Sequence, residues 1–390
     1  MNARTPDATP SASANWSYPT LVRFGPGRIA ELPEACREAG ISRPLLVTDR
    51  GLAALPLVLQ TREILRAGGL TDALFSEVDA NPTEANLAHG IAAYRAGGHD
   101  GVVALGGGSG LDLGKAVAFM AGQTRPVWDF EDIGDWWQRA DAAAIAPNVA
   151  VPTTAGTGSE VGRASVISKA DTSEKKVIFH PRMLPSCAIC DPELTVGLPP
   201  ALTAGTGMDA LAHCLEAWCS PSYHPMSAGI ALQGMRLVRR FLPRAVRNGA
   251  DLEARGQMMS AAAMGAVAFQ KGLGAVHALS HPVGALYNTH HGTTNAVVMP
   301  TVLRFNRGVI EARIEDAAAC LGVAGGFDGF VAWIEALNAR FGIPARLSGL
   351  GVDDSRIAQM AAMAVNDPTA GGNPMPLTEA AAAALYREMI

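Results

Sequence analysis

GVVALGGGSGLDLGK, residues 101–115, is the stretch on which the fold turns. Residues 101–105 form a short apolar run without polar alternation, which reads as a strand buried on both faces. Gly106, Gly107 and Gly108 follow at once, and the segment then passes into a helix. Glycines let a backbone come close to a phosphate, and the start of the helix offers free N–H groups and the positive end of its dipole. The match to GxGxxG is incomplete, because Leu111 stands where the third glycine belongs. A glycine run is also what a plain tight turn needs. Its place directly behind a buried strand is what points to a nucleotide phosphate.

The same grammar extends outward from this stretch. Residues 44–48, PLLVT, read as a second buried strand ending at Asp49, and residues 149–152 as a third. Residues 57–67 and 84–96 read as helices, each closed by a glycine pair. Strands alternating with helices imply a parallel sheet covered on both faces. Such sheets bind ligands at the carboxyl ends of their strands. Asp49 sits at such an end, where a carboxylate can hold an adenosine ribose and repel a 2′-phosphate, favouring NAD over NADP. It can equally be a helix cap. The third strand runs into TTAGTGSE, residues 153–160, whose small hydroxyl side chains suit contact with a pyrophosphate or a nicotinamide amide, or simply make a polar loop.

Beyond Pro199-Pro200 the text changes. Residues 203–217, 225–241, 251–268, 274–287, 329–341 and 378–388 carry Ala, Met and Leu at helical spacing. The expected organisation is therefore a disordered tail at 1–15, an α/β dinucleotide-binding domain at 16–198 and an all-α domain at 199–390. The helical half holds the second chemical signal. Asp209 and His213 stand four residues apart, as do His277 and His281, and His290-His291 follow. Four residues is one helical turn, so each pair shares a face. A lone histidine on an apolar helix is ordinary core; this clustering points to a metal. One carboxylate and three imidazoles suit Fe²⁺ or Zn²⁺ with a position left open for a substrate oxygen. An ion there acts as a Lewis acid on an alcohol or aldehyde oxygen.

The composition narrows the classes. The chain has 390 residues, 48% hydrophobic and 17% charged, which is ordinary for globular proteins and long enough for two domains. Net charge is −5 with no basic stripe, which argues against nucleic acid. No apolar run reaches the roughly 18–20 residues of a membrane span, and residues 1–15 lack the apolar stretch of a signal peptide. A cytoplasmic protein without membrane partners is expected. Six dispersed cysteines do not make a disulfide framework. Cys187 and Cys190 form one CxxC without the second pair a zinc knuckle needs, and read as buried strand or loop residues.

Taken together, Asn81-Pro82-Thr83, the GGGS loop with Asp112 and Lys115, PTTAGTGSEV, GMDALAH and HALSHPVGALYNTHHG resemble the iron-containing (group III) alcohol dehydrogenase family. The resemblance spans nearly the whole chain. It implies an NAD(H)-linked, metal-dependent enzyme that interconverts alcohols and aldehydes, built as a homodimer or higher homo-oligomer. It implies metal ligands at Asp209, His213, His277 and His291, and a catalytic proton relay at His281. Cofactor positions fall on Asp49, Asn81, Gly107, Gly108, Ser109, Asp112, Thr153, Thr154, Thr157 and a lysine, Lys175 or Lys176. After SEV, many members have Thr and later a bulky aromatic, whereas Gly162, Arg163, Ala164 and Ser165 follow here. The stretch AFQKGLG, residues 268–274, resembles the 4-hydroxybutyrate dehydrogenase branch. Arg163 or Lys271 would then meet the carboxylate of a semialdehyde such as succinic semialdehyde, or be solvated surface cations. Glycerol dehydrogenase-like and dehydroquinate synthase-like enzymes share the fold class, and a non-catalytic metal or nucleotide binder is the reading from outside catalysis.

Overall fold

The computed structural model describes Tyr18 and residues 20–170 and 174–390. The tail expected at 1–15 lies outside the described residues. The α/β class is borne out: β1 (Leu21–Phe24), β2 (Pro44–Val47), β3 (Leu74–Phe75), β4 (Gly101–Gly106), β5 (Asn148–Pro152) and β8 (Cys187–Cys190) form one parallel sheet in the order β1-β8-β5-β4-β2-β3. Between them, β6 (Ala164–Ser168) and β7 (Lys175–Phe179) make a separate antiparallel ribbon that the sequence reading did not anticipate. Cys187 and Cys190 are buried strand residues.

Side chains alternate across the central strands. Leu45, Val47, Val102 and Ala104 face one apolar cluster with α3 (Glu84–Ala96) and α4 (Gly108–Met120). Leu46, Val103 and Leu105 face the other, with α1 (Leu32–Glu38) and α2 (Pro56–Ala67). Both faces being covered is why β4 is buried throughout and its sequence shows no polar alternation. The expected punctuation is present. α2 stops at Gly68-Gly69 and α3 at Gly97-Gly98, with Gly69 and Gly98 left-handed at φ 75° and 58°. Thr83 opens α3 by a reciprocal capping box with Asn86.

All described strands end by Cys190, and a helical half begins at Pro200. It comprises α5 (Pro200–Cys219), α6 (Pro225–Arg247), α7 (Leu252–Ala268), α8 (Ala275–Tyr287), α9 (His291–Leu321), α10 (Gly326–Arg340), α11 (Ile357–Val365) and α12 (Glu379–Met389) around one apolar cluster. α9 departs from expectation. His290 and His291 do not trail the preceding helix; they open a helix of 31 residues. Its residues 294–300 are all buried, so no amphipathic stripe announces it. No single described helix is long and apolar enough to cross a membrane.

Candidate metal centre and cofactor cleft

Three helices deliver the cluster. Asp209 and His213 lie one turn apart on α5, His277 in the first turn of α8, and His291 is the first residue of α9. α9 approaches α5 where two glycines meet: a Cβ on Gly292 would collide with the Gly205 carbonyl and stand 2.9 Å from the Asp209 Cβ. That close approach sets His291 beside Asp209. His290 caps α9, its Nδ1 accepting from the Thr293 N–H at 3.3 Å.

One carboxylate oxygen is the hub. Oδ1 of Asp209 lies 3.9 Å from Nε2 of His213, 3.8 Å from Nε2 of His277 and 3.4 Å from Nε2 of His291. Ligands about 2.0–2.2 Å from a tetrahedral ion sit roughly 3.4 Å apart, so these distances from Asp209 fit a first-row divalent cation, and the ligand atoms of Asp209, His213 and His277 lie within 4.8 Å of one another. The protonation states fit as well. Burial pushes the His213 imidazole down to about 4, and burial with neighbouring His277, His281, Lys175 and His213 holds His291 well below its ordinary value. Both rings therefore present lone pairs at neutral pH. Burial also opposes charge on His277, but the bonded Glu216 carboxylate, Asp209 and Asp367 together outweigh this and raise it. The Asn295 amide nitrogen stands 2.8 Å from Asp209 Oδ1, 3.3 Å from His277 Nε2 and 3.2 Å from His291 Nε2. A cluster of acceptors sharing one buried donor group is a site built for a cation.

His281 lies outside this hub. Its ring stacks on His291 at 5.3 Å, and its Nδ1 is 2.7 Å from Oδ2 of Asp367. Asp367 is anchored in turn by Thr369. Burial raises Asp367, yet the charge and hydrogen bond of His281 together with the Thr369 bonds outweigh it and hold the carboxyl below its ordinary value.

The cofactor candidates gather at the carboxyl ends of β2, β4 and β5. α4 starts at Gly108 with Gly107 as its cap and no side chain on its first N–H groups. Thr154 and Thr157 pack their methyls against the loop, and Cβ atoms on Gly107 and Gly108 would stand 3.2 and 2.7 Å from them. Thr153 binds β4 through its N–H to Gly106 O at 2.9 Å. Ser109 bonds Ala80 O at 2.6 Å, and Asn81 reaches Asn288 at 3.1 Å, across to the helical half. Asp49 closes a turn and caps no helix, the cap position of α2 being Leu55: Oδ1 accepts from the Leu52 N–H at 3.0 Å, while Oδ2 faces Gly106. Of the two lysines, Lys175 points into the cleft. Burial lowers it, and Asp112, Asp209 and Asp367 act on it from both halves. Lys176 turns away to Glu174 at 3.1 Å.

Asp112 ties the 153–160 loop and β6 to α4, Oδ1 accepting from Ser159 Oγ at 2.5 Å and Oδ2 from the Val166 N–H at 2.9 Å, while its charge also acts on Lys175 in the cleft. One expectation requires correction. Lys271 does not face a substrate. It is buried, and its Nζ donates to the carbonyls of Ala217 (2.9 Å), Trp218 (3.2 Å) and Ser220 (2.5 Å) at the end of α5. Arg163 differs. Its guanidinium lies over the Phe179 ring, 5.4 Å from the centroid, and lines a cavity of about 60 Å³ with Gly162, Phe269 and Gln270. The Phe269 ring in turn meets the His213 ring edge-on at 5.2 Å.

Glu216, Asn295, Asp367 and Asn373 were missed in the sequence. For Glu216 a signal existed: positions 209, 213 and 216 form one stripe on α5. Asp367 had none, being an isolated acid 86 residues from the histidine it bonds.

Residues 19–192 match the iron-containing alcohol dehydrogenase family, and residues 203–390 the C-terminal region of the Fe-containing alcohol dehydrogenase family. The 4-hydroxybutyrate dehydrogenase of Cupriavidus necator is 43% identical, over 96% of this chain and 98% of that one. A crystal structure of 1,3-propanediol oxidoreductase superposes with a TM-score of 0.91 at 37% identity, covering 97% of this chain and 100% of the other. A sulfoacetaldehyde reductase from Bifidobacterium kashiwanohense, solved with NAD+, matches at a TM-score of 0.87 and 28% identity over 96% and 98%.

Proposed function

The chain belongs to the iron-containing alcohol dehydrogenase family, and from that premise we propose that Asp209, His213, His277 and His291 hold its metal and that it acts on short ω-hydroxy acids and their semialdehydes. It is an NAD-linked alcohol dehydrogenase, exchanging hydride between the nicotinamide and an alcohol or aldehyde carbon. The observation that carries the ligand assignment is the convergence of three imidazole nitrogens on one carboxylate oxygen within 3.9 Å. A metal ion held there would supply Lewis acidity to the substrate oxygen, and a bound nicotinamide would supply the hydride acceptor or donor.

The chain's own residues do the rest. The α/β half, residues 16–198, holds the cofactor: Gly107 and Gly108 admit the pyrophosphate to the start of α4, with Ser109, Thr153, Thr154, Thr157, Asn81 and Lys175 around it. Asp49 excludes a 2′-phosphate. The helical half, 199–390, holds the metal. His281, its Nδ1–H held by Asp367, keeps Nε2 free to relay the hydroxyl proton to solvent. The substrate assignment draws support from the 4-hydroxybutyrate dehydrogenase relative and the sulfoacetaldehyde reductase neighbour, whose named substrates are anions. Arg163 is the cation for a distal carboxylate. We further propose a cytoplasmic homodimer or larger homo-oligomer, measurable by light scattering.

The test is Asp209→Ala and His277→Ala, with metal analysis and NADH oxidation over a panel of aldehydes. Both variants are expected to lose metal and turnover together. Full metal and full rate in either one would remove that residue from the ligand set.

A further inference from the structure

α8 begins without a cap of its own. Gly274 precedes it and offers no side chain, yet the first N–H groups of the helix are buried and must be paired. Two residues from distant segments pair them. Asn373 Oδ1 accepts from the Ala275 N–H at 3.1 Å, and Glu216 Oε1 accepts from the Val276 N–H at 2.7 Å. Asn373 is locked by reciprocal bonds with Asn306 at 2.9 and 2.8 Å. The fit requires glycine at 274, where a Cβ would stand 2.9 Å from Asn373 Oδ1 and 3.2 Å from Glu216 Oε1.

Glu216 does a second thing. Its other oxygen, Oε2, lies 2.5 Å from Nδ1 of His277, one residue into the helix it caps. Both residues are buried, 7% and 2% exposed. Glu216 comes from α5, two turns beyond Asp209, so one carboxylate joins the helix that carries Asp209 and His213 to the helix that carries His277. With Nδ1 donating to Glu216, the proton of a neutral His277 cannot sit on Nε2, the atom facing Asp209.

We propose that Glu216 is a positioning residue of the metal centre: it fixes the tautomer and orientation of His277, and so the affinity of the site for its ion. The inference rests on His277 being a ligand. A carboxylate that receives a ligand imidazole's second N–H raises that ligand's basicity, and loss of such a partner costs about 10- to 100-fold in metal affinity.

Glu216→Gln is the discriminating variant because it keeps shape and removes one acceptor. Glu216 accepts from two donors, whereas a carboxamide has one acceptor oxygen, so its NH₂ must confront either the Val276 N–H or His277 Nδ1. Facing His277, it favours the tautomer with the proton on Nε2. Zn²⁺ affinity is measured by chelator competition on the full chain, beside Glu216→Asp and His277→Ala, with NADH titration to establish that the fold is intact. Glu216→Gln is expected to weaken Zn²⁺ binding about 10- to 100-fold and Glu216→Asp by less, with NADH binding unchanged. A folded Glu216→Gln protein that binds Zn²⁺ within twofold of the parent overturns the inference. If His277→Ala keeps Zn²⁺, the ligand assignment itself fails; if only His277→Ala loses it, Glu216 alone is wrongly assigned. Should Glu216→Gln not fold, ¹⁵N spectra of the unmutated Zn²⁺-loaded chain decide: a protonated Nδ1 on His277 supports the inference and an unprotonated one refutes it.

Discussion

At the scale of single residues, Arg163 and Lys271 show how one charge type takes two different jobs. Both are cations beside glycine-rich segments, and only their surroundings separate them. Among the described residues the Arg163 guanidinium makes no hydrogen bond or ion pair; it rests on Phe179 beside a cavity. A charge-assisted hydrogen bond from it to a substrate carboxylate is worth about 1.5–3 kcal/mol, or roughly 10- to 100-fold in kcat/KM. Arg163→Ala should lose that factor with succinic semialdehyde and little with butanal. Equal losses on the two substrates would refute the carboxylate role. Asp49 carries the second residue-scale expectation. Its Oδ2 faces the glycine turn, so Asp49→Gly should narrow the preference for NADH over NADPH by about tenfold, the scale of one screened charge repulsion. Comparable kcat/KM for both cofactors in the parent would remove its basis.

At the scale of elements, the helix ends govern. Lys271 is a tertiary cap on α5, supplied by the turn after α7. Lys271→Ala should therefore lower stability by about 1–3 kcal/mol, because it leaves the buried Ala217 carbonyl without a charged donor while Arg313 still reaches those of Trp218 and Ser220. The ratio of activities on succinic semialdehyde and butanal should stay as it was. Urea unfolding and the two-substrate assay read these separately, and a changed ratio with unchanged stability would return Lys271 to the substrate site. The contact between α5 and α9 is the complementary case. At Gly292 no side chain fits without separating the helices, and one turn of α5 holds both Gly205 and Asp209. Gly292→Ala should cost about 1–3 kcal/mol and weaken Zn²⁺ binding, since moving α9 moves His291. Unaltered Zn²⁺ affinity would show that the site tolerates that movement.

At the scale of the whole molecule, the loop after β5 joins the halves. Gly156 packs on Thr206 of α5, with 2.9 Å left for a Cβ, and Gly158 on Ala262 and Ala266 of α7. Beside them Glu160 is buried near Lys115, and burial pushes its carboxyl from 4.5 up to about 7. Between those values the folded chain keeps a proton that the unfolded chain releases. Its contribution is thus complete below pH 4.5 and lost as pH rises through about 7. Above that, the penalty is on the order of 3 kcal/mol. Glu160→Gln should flatten the fall in Tm between pH 5 and 8 and raise Tm at pH 8. Parallel Tm profiles for variant and parent would contradict this.

What could be read along the chain was whatever repeats locally. The apolar run at 101–105 with glycines behind it, and the four-residue spacings of Asp209 with His213 and His277 with His281, follow from strand and helix geometry alone. They disclosed the α/β class, the helical half and three of the converging residues, Asp209, His213 and His277. Three-dimensional contact decided the rest. It made His291 the neighbour of Asp209 and His290 a cap, turned Lys175 into the cleft and Lys176 out, and assigned Asp112 and Lys271 to holding the fold. It also brought Glu216 and Asp367 to the histidines they hold, across separations of 61 and 86 residues. The physical reason is that a side chain's role follows from which buried donors and acceptors it meets. Periodicity determines which face it lies on, and only packing determines what stands opposite.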